Sequence, residues 1–367
     1  MKKIIALTML LTSINGHAFE RKDYSVRAMG MGGAFIAQAD DSSALFYNPA
    51  GMGVLGDAAS STFDFSLYNS TVEHVYSEDM AENQDNYAGI MAMWQKGRGA
   101  IGIGAADSYT IDIVRPLTQY VSEPVRVSST EWIAGGAWGN DYAKLGLAFS
   151  LIEATASSDE KNPESDTCLG TTISGKLTPL DGFADLSNHS FGYTLNLGAV
   201  YKTQCNAEPD KKNINSSLSN REMTIRPEYF GGGLNLGLFW LNSYVSSQLN
   251  LNADIDRSHY YGFTDLLPID ESIRQGINEV EVSRIAFGAE LLLAMVDSHA
   301  AVILRAGQST QTDNLADYVS DNTKTLGLGV AYRAVTFDFS VNTITPNKTN
   351  PLTQARKLYA GSVAFNW

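Results

Sequence analysis

VTFDFSVN, residues 335–342, places Val335, Phe337, Phe339 and Val341 on one side of an extended chain and Thr336, Asp338, Ser340 and Asn342 on the other. Successive side chains of a strand point to opposite faces, so a strict two-residue period marks a strand with one apolar and one polar face. The same period recurs in QLNLNADID from Gln248, YTLNLGAVY from Tyr193, KLGLAFSL from Lys144 and TLGLGVAYR from Thr325. Each run is close to the roughly 9–11 residues with which a tilted strand crosses a bilayer. A soluble sandwich also alternates, but two features argue for a membrane barrel. Small residues stand opposite the apolar face (Gly146, Gly198, Gly327, Gly329), as a crowded barrel interior requires, and aromatic residues gather at segment ends, as in interfacial girdles.

The remaining chain is consistent with export. Lys2 and Lys3, an apolar stretch over residues 4–11 and Gly16-His17-Ala18 read as a signal peptide, residues 1–18, cut near Ala18. Its removal takes the formal charge from −14 to −16, so no nucleic-acid partner is expected, since phosphate binding needs a basic face. Apart from the leader no run of 18 apolar residues exists; the longest candidate, residues 285–296, is interrupted by Glu290, so no membrane helix is expected. The ending LYAGSVAFNW, residues 358–367, holds Tyr359, Gly361, Val363, Phe365 and Trp367 on its outward parity. An amphipathic strand ending on an aromatic resembles the terminal signal read by the barrel-assembly machinery, with Tyr359, Val363, Phe365 and Trp367 as its residues.

Barrel strands are joined by short turns on one side and long loops on the other. Short joins are expected near Gly97, Gly139-Asn140, Asn242-Ser243, Asp297-Ser298 and Arg333-Ala334, and long ones at 71–84, 109–126, 155–169, 203–221, 259–279, 310–322 and 346–354. Strict up-and-down parity is kept only with a further strand at 170–178, followed by a turn at Asp181-Gly182. The count is then fourteen: an all-β, antiparallel, up-and-down transmembrane barrel. This register puts Cys168 and Cys205 in loops on the same, outward side, where they could form a disulfide. A competing register with the extra strand after Cys205 separates them; an even cysteine count in an exported chain favours the paired version.

About forty residues lie between the leader and the barrel, which begins near Ala58 (domains 19–57 and 58–367). Met29, Met31, Phe35, Ile36, Leu45, Phe46 and Met52 make them too apolar for a disordered tail, and the economical place is inside the lumen, as a plug of short helices. RAMGMGGAFIAQADDSSALFYNPAGM, residues 27–52, resembles the N-terminal hatch of the FadL-type outer-membrane transporters for long-chain fatty acids and aromatic hydrocarbons. It is closer still to FadL-like barrels that carry the conjugal-transfer name TraF. NLNADID from Asn250, RIAFGAELLL from Arg284, AVILRAGQS from Ala301 and TLGLGVAYRAVTFDFSVN from Thr325 also resemble that set, while residues 155–230 match poorly. The thioredoxin-like pilus-assembly protein of the same name is not implied, because no Cys-x-x-Cys is present, and conjugation does not follow from the label.

The resemblance places Asn48, Pro49 and Ala50 in the Asn-Pro-Ala of the hatch, with Asp40, Asp41, Phe46 and Tyr47 as further gating residues. Asp40 or Asp41 can cap a short helix running through Ser43 to Tyr47, and Pro49 forces Asn48 out of helical geometry. Asn48 can equally serve only to satisfy backbone groups at a tight turn. Phe35, Ile36, Leu45 and Met52 are the candidate ligand contacts.

Other motifs carry no chemistry. Gly30-Met31-Gly32-Gly33 lacks the third glycine of a dinucleotide loop, since Phe35 stands there. His74, His189, His259 and His299 show no metal-ligand spacing. Ser258 and His259, adjacent on a strand, point to opposite faces and cannot act as a nucleophile and base. No enzyme activity, cofactor or metal is expected. Residues 265–280 read as an amphipathic helix in an outward loop, with Leu266, Leu267, Ile269, Ile273 and Ile277 as its apolar stripe.

The functional expectation is a passive transporter in the outer membrane of a Gram-negative bacterium. Its ligand is a hydrophobic or amphipathic small molecule, passing a polar lumen into which Asp64, Asp254, Asp256, Asp338 and Arg305 point. The alternative is a non-transporting barrel of the same kind that serves as a structural or assembly partner for a surface protein in secretion or conjugation. Acidic, Tyr-containing segments such as residues 76–79 and 313–321 would suit such contacts.

Overall fold

The two-residue period is realised in a computed structural model as long antiparallel strands. The structure describes residues 18–21, 24–52, 60–72, 86–118, 121–157, 164–186, 189–204, 226–261, 279–313, 320–346 and 356–367. A short strand β1 (Ala18–Arg21) is followed by helix α1 (Val26–Gly30), helix α2 (Ala44–Tyr47) and a 3-10 turn (Pro49–Met52). Then come β2 (Ser60–Val72), β3 (Asn86–Lys96), β4 (Gly99–Thr118), β5 (Val121–Gly139), β6 (Ala143–Ser157), β7 (Glu164–Leu186) and β8 (His189–Gln204). The wall continues with β9 (Arg226–Leu241), β10 (Val245–Tyr261), β11 (Glu279–Met295), β12 (Ala300–Asp313), β13 (Ser320–Tyr332), β14 (Val335–Pro346) and β15 (Arg356–Asn366). Each of β2 to β15 pairs with its chain neighbours, and β15 returns to β2, closing a barrel of 14 strands. No helix among the described residues is long and apolar enough to cross a membrane.

The faces are inverted relative to a soluble protein. Phe337 and Ile255 are each 60 % exposed, whereas Asn252, Asp256, Ser340 and Asn342, on the opposite parity of the same strands, are buried. Leu145, Phe149, Ile173, Phe230, Phe287, Leu326 and Leu328 continue the apolar outer surface. An exposed apolar area of this extent is tolerated only where water is absent. Trp138, Tyr142, Tyr244, Tyr332 and Trp367 stand exposed near the short turns, where an aromatic girdle belongs. Tyr359, Phe365 and Trp367 face outward as expected, with Leu358 and Ala360 inward.

The expected short joins at Gly97, Asn140, Asn242, Asp297-Ser298 and Arg333-Ala334 are all turns. Three expectations are corrected. Residues 109–126 do not form a long loop: β4 and β5 continue as a paired hairpin to Pro116 opposite Ser122. Asp181 and Gly182 are not a turn but lie within β7, opposite Thr194 and Tyr193, past an irregularity between Leu177 and Leu180. Cys168 is not in a loop but in β7, opposite Ile152. Its neighbour β8 ends at Gln204, opposite Gly170, so the chain leading to Cys205 is at the same end of the wall as Cys168. Cys205 and the side chain of Cys168 lie outside the described residues, as do residues 1–17, His74, the side chain of His259 and the expected loop helix up to residue 278.

One edge is uneven. The β3–β4 ladder ends at Gly89 opposite Ala106, and further along β4 the residues Tyr109 to Asp112 are paired instead with β1. The residue expected to end the leader, Ala18, thus stands opposite Asp112.

Candidate functional site

Residues 24–52 touch wall strands on every side of the barrel. Helix α1 packs on β12 to β15, and the 3-10 turn packs on β4 to β7. The segment bends twice within a few residues, and its local sequence explains how. Ser25 caps α1, accepting from Ala28 N at 3.4 Å. Gly32 and Gly33 follow in the left-handed region, at φ 68° and 76°, which side-chain-bearing residues rarely adopt. Asp41 accepts from Ser43 N (2.9 Å) and Ser43 Oγ (2.5 Å) just ahead of α2, but the N-cap residue is Ser43, whose side chain makes no capping bond, so the expected aspartate cap is not formed; Asp40 and Asp41 both pair with Arg27. Asn48 is extended (φ −158°, ψ 92°), the geometry imposed by the following proline.

Asn48 is fully buried, and its side chain satisfies backbone groups, as the turn reading expected. Its Oδ1 accepts from Ala50 N (3.2 Å), a local turn contact, while its Nδ2 donates to Ile36 O (2.9 Å) and to Gly175 O of β7 (3.2 Å). Ala50 N also donates to Ser174 Oγ of β7 at 2.9 Å. Phe46 stacks on Tyr24 with ring centroids 4.6 Å apart, and Tyr47 meets Tyr24 and Phe35 edge-on at 5.8 and 5.5 Å. Phe35, Ile36, Leu45 and Met52 have no solvent exposure. Leu45, Phe46 and Met52 form one apolar cluster with Met91, Met93, Ala100, Ile133, Ala137 and Ala148 of the wall.

The small wall residues provide the room. A Cβ on Gly146 would collide with the backbone of Pro49 and Ala50, one on Gly198 with Ile36 and Ala37, and one on Gly307 with Met31 and Gly32. Gly327 stands with its own Cβ position 3.2 Å from Gly30 Cα.

On the other side the contacts are ionic. All five residues expected to point inward do so: Asp254, Asp256 and Arg305 are buried, Asp338 pairs with Arg305, and Asp64 accepts from the buried Ser66 at 2.7 Å. Asp254 Oδ2 accepts from Phe35 N (2.5 Å) and Ile36 N (2.7 Å), while Asp256 holds Arg284 (2.9 Å). Arg284 donates to Gly33 O at 3.3 Å, and the Lys176 ammonium donates to Gln38 O. Arg27 reaches Asp40 (2.7 Å), Asp41 (3.1 Å) and Glu290 (2.7 Å). Burial opposes the Arg27 charge, but Asp40 and Glu290 override it and hold its pKa well above the ordinary value; burial pushes the Asp41 carboxyl up against the pull of Arg27. Reasoning from sequence missed Glu290 and Lys176 of the wall as partners of this segment, and Arg27 and Gln38 as the residues of the segment that meet them. The one available signal was a lone acid on the inward parity of an otherwise apolar strand.

An apolar cleft of about 470 Å³ lies on the wall at β2 to β7, bounded by the outward residues Ile90, Ile103, Trp132, Phe149, Leu151 and Leu169. Behind it the wall is thin: Gly104 lines the cleft, and a Cβ there would come within 2.9 Å of Phe46 Cε2. The candidate ligand contacts Phe35, Ile36, Leu45 and Met52 do not line it. No group of His, Cys, Asp or Glu able to hold a metal occurs among the described residues.

No protein-family model matches the chain, and no curated protein matches it. Solved structures that share its fold include two outer-membrane proteins. The CymD monoaromatic hydrocarbon channel is similar at 11 % identity, over 95 % of this chain and 98 % of that one, with a TM-score of 0.52. A Pseudomonas aeruginosa FadL homologue is similar at 10 % identity, over 95 % and 99 %, with a TM-score of 0.51.

Proposed function

We propose that this protein is a passive transporter in the outer membrane of a Gram-negative bacterium, carrying hydrophobic or amphipathic small molecules of the fatty-acid or aromatic-hydrocarbon class. Residues 1–18 are then the removed leader, 19–57 the hatch and 58–367 the barrel. The observation that carries this reading is a full-length fold shared with a monoaromatic hydrocarbon channel, combined with an apolar cleft on the wall directly behind Phe46. Asn48, Pro49, Ala50, Asp40, Asp41, Phe46 and Tyr47 position the hatch in this reading, and Phe35, Ile36, Leu45 and Met52 meet ligand once the segment shifts. The outward aromatic ending at Trp367 is the assembly signal, and Cys168 with Cys205 the disulfide. No residue is given a catalytic role, and the partners are lipid, the assembly machinery and the ligand.

Uptake by lipid vesicles tests it. Vesicles holding the protein should take up a fluorescent fatty acid or naphthalene faster than empty ones; equal rates would overturn transport. The second reading, a non-transporting barrel that contacts a surface protein, is favoured by one fact: residues 34–37 and 44–47 of the segment are all fully or almost fully buried. Equal uptake together with capture of a surface protein would support it.

A further inference from the structure

Glu290 lies in the middle of β11 with its carboxylate in the lumen, 2 % exposed. It accepts from Arg27 Nε (2.8 Å) and Nη2 (2.7 Å), from Gln38 Nε2 (2.9 Å), from Asn250 Nδ2 (3.3 Å) and from Arg305 Nε (2.7 Å). Arg27 and Gln38 belong to the N-terminal segment, on either side of its glycine turn; the other two donors belong to the wall.

Gln38 also continues a directed chain of amides. Asn196 Nδ2 donates to Asn235 Oδ1 (2.9 Å), Asn235 Nδ2 to Asn252 Oδ1 (3.0 Å), Asn252 Nδ2 to Gln38 Oε1 (2.7 Å), and Gln38 Nε2 to Glu290. Thr178 starts the row by donating to Asn196 Oδ1 at 2.8 Å. Every N–H in the row points toward the same carboxylate. An ionised carboxylate can only accept, so its charge fixes the sense of the whole row, and aligned hydrogen bonds of this kind polarise one another.

We infer that Glu290 is the anchor that holds the N-terminal segment in the lumen, by gripping Arg27 directly and by orienting the amide row that locks Gln38 between β10 and β11. It is a positioning residue. The inference rests on the reading that the segment moves, and it names the contact that must be broken for it to do so. Asp338 provides the contrast: it shares Arg305 with Glu290, and its ion pair is with the wall.

The test uses Ser42→Cys, a near-isosteric reporter at a buried position of the segment. Its rate of modification by a membrane-impermeant methanethiosulfonate is measured in the full chain in vesicles, relative to the same chain without the reporter. Glu290→Ala should raise the rate at least tenfold, and Asp338→Asn should leave it within threefold. A Glu290→Ala rate within threefold of the reporter alone, or one matched by Asp338→Asn, would overturn the anchor. Adding naphthalene to the unaltered reporter protein separates this from the transport reading: an unchanged rate speaks against ligand gating, whereas the ratio for Glu290→Ala still decides the anchor.

Discussion

Asp254 shows how much of the lumen depends on single side chains. Its Oδ2 takes the N–H groups of Phe35 and Ile36, both buried at a bend where no regular structure can receive them. Asp254→Ala leaves both donors without that acceptor, and a buried unsatisfied donor costs about 1–3 kcal/mol. The variant should therefore unfold at lower urea than the native protein when both are followed by gel mobility in detergent, and an unchanged midpoint would contradict the role. The inward parity of Asp254 was legible from the run QLNLNADID, but its partner was not. Phe35 lies 219 residues away in the chain, and nothing in a local pattern connects two such positions. Glu290 was legible only as a break in an apolar run, and Arg27, 263 residues distant, gave no sign of meeting it. The glycines were more informative: Gly146 and Gly198 stood opposite apolar positions, and both prove to be notches that admit the segment's backbone.

At the scale of the strand, alternation predicts well wherever the two faces meet different solvents. β13 is such an element, with Leu326, Leu328 and Val330 exposed and Thr325 and Gly329 inward. Leu328 lies opposite Phe339, well inside the apolar band, whereas Tyr332 ends the strand at the girdle. Leu328→Arg should destabilise the inserted barrel by about 2–4 kcal/mol and Tyr332→Arg by about 0–1 kcal/mol, as depth in the bilayer dictates. The folded fraction in vesicles, read from heat-modifiable mobility, checks this, and equal loss in both variants would contradict it. The same rule was legible in one place where a loop was expected. The distal half of β4, SYTIDIVRPLT, keeps the two-residue period through Ile113, with Tyr109, Ile111 and Ile113 against Thr110 and Asp112, and loses it only at Val114-Arg115-Pro116; it pairs with β5 almost to its end.

For the whole molecule, turn lengths and strict up-and-down parity were enough to count 14 strands, because a closed wall permits no odd strand out of place. The composition of residues 19–57 was enough to require cover for their apolar side chains; the sides of the wall that supply it are set by three-dimensional closure, which no periodicity records. Everything functional depends on that closed wall being inverted, apolar toward lipid and polar toward the segment it surrounds. The most direct measurement places a fluorophore on single cysteines at each of residues 336–342 and titrates in brominated lipid. Quenching should be strong at 337, 339 and 341 and weak at 336, 338, 340 and 342; uniform quenching, or strong quenching at 340, would contradict the inverted barrel.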